Sequence, residues 1–300
     1  MKLAVAVLPA PFLIERRVLA RNAGEGWHEL GAALAEAGIP DGPAPGDIAG
    51  AFAFQSALGP AQRRRIERAL DQSRNGLAVA ALDKPIGPDA KLFLTEGRIA
   101  LARSNDVAPA KRVVGFSKFE SALAAPGRTI RLPNPGARYD VEATLCAIVG
   151  RAANRAARSE AARAIVGFTL MAEVTNRNMF DEEAATRNNL YAKNEEALSP
   201  FGPCVWIASA RELDPATEVT LKVNGAERQR FAVSDLAHTM AAAVGGWSRA
   251  VLAPGDAVAL GAAIARPRAG NAVDSPVPVA PGDAIEVACA PIGVLAAKFA

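Results

Sequence analysis

The sequence predicts an α+β fold rich in strands, with a small α+β region at residues 1–108 and a strand-rich region at 109–300. Three observations carry this. Apolar residues recur at helical spacing in two segments of the first hundred residues. From Lys111 onward, short β-prone runs alternate with Gly, Pro and Asp turns. Asn224-Gly225 separates two such runs, a strong signal for a two-residue hairpin.

In chain order, residues 1–8 read as a first strand. Residues 25–37 place Trp27, Leu30 and Leu34 on one helical face, with Gly38 as a natural stop. Residues 39–50 are rich in Pro, Gly and Asp and read as a loop. Residues 60–72 form a basic helix entered at Pro60. A strand is expected at 76–82, and a hairpin at 91–95 and 98–102 around Glu96-Gly97. Asn105 to Pro109 break the pattern, and the domain boundary is set near 108. Strands then follow at 112–116, 129–132, 141–149, 165–171, 204–208, 218–223, 227–233, 257–260 and 284–290. Helices interrupt them near 158–164 and 234–248. So many short strands predict a sandwich or barrel.

Composition narrows the function classes. Of 300 residues, 50% are hydrophobic and 22% charged, which fits a soluble globular protein. A net charge of +3 is too small to argue for nucleic acid. No apolar run approaches the length of a membrane span, and Pro9 and Pro11 interrupt the first strand, so neither a membrane nor an export signal is expected. Cys146, Cys204 and Cys289 lie far apart in apolar segments. They read as reduced packing thiols of a cytoplasmic protein, not as zinc ligands. Only His28 and His238 are available, so chemistry here rests on carboxylates, lysine, arginine or metal.

The polar residues that stand out are Glu142, inside the apolar run 139–150, and Glu173, at the end of the run 165–174. A carboxylate in a core strand is costly unless it is paired or binds a metal. Two such strands suggest a shared polar site; the alternative is that both glutamates face solvent from edge strands. Glu173, Thr175, Asn176, Arg177 and Asn178 crowd together, and Lys193 follows after a loop. Asp181-Glu182-Glu183 reads as a solvated first helical turn.

Read together, these pieces resemble the fumarylacetoacetate hydrolase family. The resemblance begins at Phe116-Ser117-Lys118 and Ile130-Arg131-Leu132-Pro133, and continues through Val141-Glu142-Ala143-Thr144-Leu145 to Gly150. It runs on through Ile165-Val166-Gly167-Phe168-Thr169, Glu173-Val174-Thr175-Asn176-Arg177-Asn178, Lys193 and Pro200-Phe201-Gly202-Pro203. It closes with Val223-Asn224-Gly225 and Gln229, Pro254-Gly255-Asp256, and Pro281-Gly282-Asp283 with Ile292-Gly293. It covers roughly residues 111–300, and its specificity lies in the ordered set.

The resemblance implies a mixed β-roll or barrel-like fold, often dimeric, so a homodimer is expected. It also implies a divalent metal, Mg2+ or Mn2+, and a small oxo-acid or 1,3-dicarbonyl substrate that is hydrolysed, decarboxylated, hydrated or isomerised. Glu142 matches the first glutamate of the family's Glu-x-Glu metal pair, whose second position is Thr144 here. Glu173 stands where the family has an aspartate ligand, preceded by Ala172, and Asn178 replaces a later aspartate. Arg177 and Lys193 match, whereas Gly261-Ala262 lacks the usual threonine. The family's histidine–glutamate water-activating dyad has no counterpart.

The implied metal set is therefore Glu142, Glu173 and Thr144. The catalytic set is Lys193, Arg177 and Glu173, and the substrate-binding set is Arg177, Asn178, Lys193 and Gln229. A hydrolase or lyase is the first reading. Loss of a charged ligand at Thr144 keeps two others open: a metal-free enzyme using Lys193 and Glu173, and a non-catalytic small-molecule binder.

Overall fold

The computed structural model describes residues 1–9, 14–22, 26–73, 76–77, 79, 81–96, 113–186, 189–261 and 277–300. The chain opens with β1 (Lys2–Pro9), β2 (Ile14–Arg21), β3 (His28–Glu29), α1 (Leu30–Glu36), α2 (Ile48–Ala57), α3 (Pro60–Gln72), β4 (Leu82–Asp83) and β5 (Leu92–Glu96). Next come β6 (Val114–Lys118), β7 (Leu123–Ala124), β8 (Thr129–Ile130), β9 (Tyr139–Val149), α4 (Arg158–Ala164), β10 (Ile165–Asn176), α5 (Arg177–Ala184), α6 (Leu190–Asn194) and β11 (Ser199–Ile207). The last elements are β12 (Glu218–Val223), β13 (Ala226–Ala232), α7 (Met240–Trp247), β14 (Ala257–Gly261), β15 (Val277–Val279), β16 (Ala284–Cys289) and β17 (Gly293–Phe299).

The strands form two mixed sheets. The larger runs β3-β2-β1-β11-β10-β9-β14-β5-β6, with β15 also on β9; the smaller runs β13-β12-β16-β17-β8. The larger sheet does not close into a barrel among the described residues. Its centre is the antiparallel pair β9–β10, in which Glu142 stands opposite Glu173 and Asp140 opposite Thr175. Both strands are buried almost throughout, as near-continuous apolar runs covered on both faces must be. The alternation of side chains still matters. Val141, Ala143, Leu145 and Ala147 enter one core; Cys146, Ile148 and Met171 enter the other. On that second face the run changes character at its end, with Asp140, Glu142, Thr144, Glu173 and Thr175 in place of apolar residues.

Several elements differ from the sequence reading for identifiable reasons. The helix expected from residue 25 starts at Leu30, because His28 and Glu29 pair with β2 and Trp27 bridges Leu77. The expected loop 39–50 ends early. Asp47 caps α2, its Oδ1 accepting from the Gly50 amide at 2.7 Å. The helix expected at 234–248 is α7 alone, capped by Thr239. The expected strand 76–82 contracts to β4 among the described residues. The second arm of the hairpin at 98–102, the break at 105–109 and Ala262 lie outside the described residues. β5 finds other partners: β14 in parallel and β6 antiparallel. The NG hairpin forms between β12 and β13, with positive φ at Asn224 and Gly225.

Candidate active site

Glu173 is the centre of the polar face. It is 3% exposed and stands between two lysines. Lys193 Nζ donates to Glu173 Oε2 at 2.8 Å and to Thr175 Oγ1 at 2.6 Å, and the Thr175 hydroxyl also donates to Oε2. Lys118 Nζ stands 3.3 Å from Oε1, an ion-pair contact without an aligned hydrogen bond. Lys118 also donates to the main-chain oxygen of Lys193. A buried ion is retained only when opposite charge and hydrogen bonds replace its water. Here each ion helps to satisfy the others.

The electrostatics follow from burial and charge. Burial alone would push the Glu173 carboxyl up, but Lys193 and Lys118 outweigh it and hold the group below the usual carboxylate range. For Lys118, burial dominates and lowers the ammonium pKa; Glu173 offsets part of that, and the neighbouring Lys193 adds to the lowering. Asp140 is raised by burial, with Arg177 opposing. The Arg177 Nε bonds Asp140 Oδ2, and its guanidinium lies 5.0 Å from the centre of the Phe180 ring. Phe116 lies 5.2 Å from Lys193 Nζ.

Local sequence explains how the lysines are aimed. α6 is one short turn that would leave its amides bare. The buried Glu183 carboxylate fills that need, accepting from Tyr191 N at 2.8 Å and Ala192 N at 2.9 Å. Asn194 ties the other end of α6 to β6. Its Oδ1 accepts from Phe119 N and its Nδ2 donates to Ser117 O, so the backbone is held on both sides of Lys118. Asn176 caps α5 by accepting from Met179 N.

The expected residues are distributed as follows. Glu173, Lys193 and Arg177 stand together with Asp140 between them. Glu142 and Thr144 lie on the same face of β9. Asn178 is exposed, and its Oδ1 accepts from Arg138 N. Gln229 is buried, its Oε1 accepting from Ala143 N at 2.8 Å between Glu142 and Thr144. Glu183, expected in a solvated turn, is buried instead, because the α6 amides pull it inward. His28 bonds Ser73, and neither histidine has a described contact with this site. Sequence reasoning missed Lys118, Asp140 and Thr175 as site members. The period of two from Glu142 and Glu173 was a usable signal for Asp140 and Thr175. Lys118 had none, since its flanks Ser117 and Phe119 are exposed.

A matching family model settles the relationship: the fumarylacetoacetate (FAA) hydrolase C-terminal model matches residues 96–300. The chain belongs to the fumarylacetoacetate hydrolase family. It is 30% identical over 189 residues to the homoprotocatechuate catabolism bifunctional isomerase/decarboxylase of Escherichia coli, covering 63% of this chain and 40% of that protein. Its fold matches fumarylacetoacetate hydrolase from psychrophilic Exiguobacterium antarcticum, with a TM-score of 0.75 at 21% identity over 100% and 99% of the two chains. It also matches maleylpyruvate hydrolase from Sphingobium sp. SYK-6, solved with manganese(II) and pyruvate. There the TM-score is 0.69 at 23% identity, over 100% and 98%.

Whether these residues suit a divalent ion is a question of donors. Magnesium asks for several hard oxygens in near-octahedral array. Both Glu173 oxygens already face ammonium groups, and Thr144 is neutral. Among the described residues no three of His, Cys, Asp and Glu gather as a metal-binding group. The described donor set does not fit a tightly held magnesium ion.

Proposed function

We propose that this chain is an enzyme acting on a small 2-oxo acid or 1,3-dicarbonyl compound, with Lys118 and Lys193 supplying the positive charge for an enolate. The single observation behind this reading is the buried Lys118–Glu173–Lys193 trio, which holds two ammoniums against one carboxylate. Cleaving or shifting a bond next to a carbonyl puts negative charge on the carbonyl oxygen. Prepositioned donors in a water-poor site stabilise that charge without having to reorganise. Arg177 binds the substrate carboxylate through the guanidinium edge turned away from Asp140. Glu142 carries the proton that the shift or cleavage requires. Neither histidine has a described contact with the site, so a decarboxylation or isomerisation fits these residues better than attack by an activated water.

Calorimetric titration with oxalate, a rigid mimic of a 2-oxo acid, tests this. The chelator-stripped protein should bind oxalate, and Lys193→Ala and Lys118→Met should each weaken binding by at least about tenfold. Binding that appears only with added Mg2+ or Mn2+ and is lost in Glu142→Ala would overturn the lysine reading in favour of a metal site.

A further inference from the structure

We infer that Gly261 is a positioning residue, whose missing side chain makes the notch in which the Glu142 carboxylate rests. This rests on the role proposed for Glu142. Gly261 ends β14 opposite Thr144 of β9, so a side chain there would point to the same face as Thr144 and Glu142. A Cβ at Gly261 would stand 2.0 Å from Glu142 Oε1, 2.9 Å from Glu142 Cδ and 3.1 Å from Thr144 Oγ1. Gly261 is not among the residues with left-handed backbone. The glycine is therefore required for space, not for backbone conformation.

The consequence is electrostatic. β9 lies between β14 and β10, so a carboxylate evicted from the notch moves toward β10, because Thr144 blocks movement along its own strand. On that side stand Glu173 and the ammoniums of Lys118 and Lys193. An intruding carboxylate there would compete with an anionic substrate for the same charges. The notch keeps the acid of β9 apart from the cations of α6 and β6. The blocking atoms belong to the end of a flexible side chain, so a methyl group can be accommodated without rebuilding the sheet.

The test pairs Gly261→Ala with Gly261→Ala/Glu142→Asp, whose shorter acid fits the reduced space. Gly261→Ala should fold and should bind oxalate about tenfold more weakly, and the double variant should return to within about threefold of Glu142→Asp alone. Oxalate binding unchanged in Gly261→Ala, or weakened equally in both backgrounds, would overturn the inference. If the parent protein binds no oxalate, the functional proposal fails separately. A crystal structure of Gly261→Ala then decides: a displaced Glu142 carboxylate supports the notch, and an unmoved one refutes it.

Discussion

Replacing Glu173 by glutamine tests the organisation of the site most directly. The change keeps the volume and one acceptor oxygen, but removes the only charge that both lysines share. Lys118 has no exposed side-chain surface, and Lys193 has only 10%. Water can therefore do little to replace the lost partner. Breaking a buried pair from one side costs about 3–5 kcal/mol. At roughly 2 °C per kcal/mol for a chain of this size, the thermal midpoint should fall by about 6–10 °C.

The pH dependence separates this from a packing effect. Burial already lowers the Lys118 pKa, and without Glu173 the cheapest relief is to shed its proton. The deficit of Glu173→Gln should therefore shrink between neutral pH and about pH 9.5. Scanning calorimetry of both proteins at the two pH values is the assay. A drop under about 2 °C at pH 7, or a gap that widens with alkali, would refute the reasoning.

Glu183→Ala should strip Tyr191 N and Ala192 N of their acceptor and cost about 1–3 kcal/mol; hydrogen exchange at these two amides should quicken, and protection unchanged from the parent would show that α6 does not depend on the clamp. Acid unfolding carries a sign. The folded-state pKa of Glu173 lies below its ordinary value of 4.5, so its contribution is fully present above about that pH and is lost as pH falls through the lower folded value. Asp140 works in reverse, since burial raises its pKa above 3.8 and protonation favours the folded state. Urea midpoints from pH 6 to 2 should therefore fall less steeply for Glu173→Gln than for the parent, and parallel curves would remove Glu173 from the account.

The sequence by itself determined the strand-rich class and the family. It also determined the two central strands and the two glutamates that face each other across them. These follow from local rules: apolar runs bounded by turns, the NG hairpin, and the cost of a carboxylate inside a core strand. It showed that Lys193 and Arg177 belong with Glu173, because they match a family pattern.

Only the tertiary structure decided that β1 continues the sheet beyond β11, since strand pairing depends on surfaces far apart in the chain. Tertiary contacts also turned Glu183 from solvent to the α6 amides and spent Gln229 on the backbone of β9. Lys118 lies 55 residues before Glu173 and 75 before Lys193, by difference of residue numbers. No periodicity links these positions. Pairing of β6 with β5, and the bonds from Asn194 to Ser117 and Phe119, bring its ammonium into the core. Once there, desolvation makes an opposite charge obligatory, and Glu173 is the carboxylate that meets it.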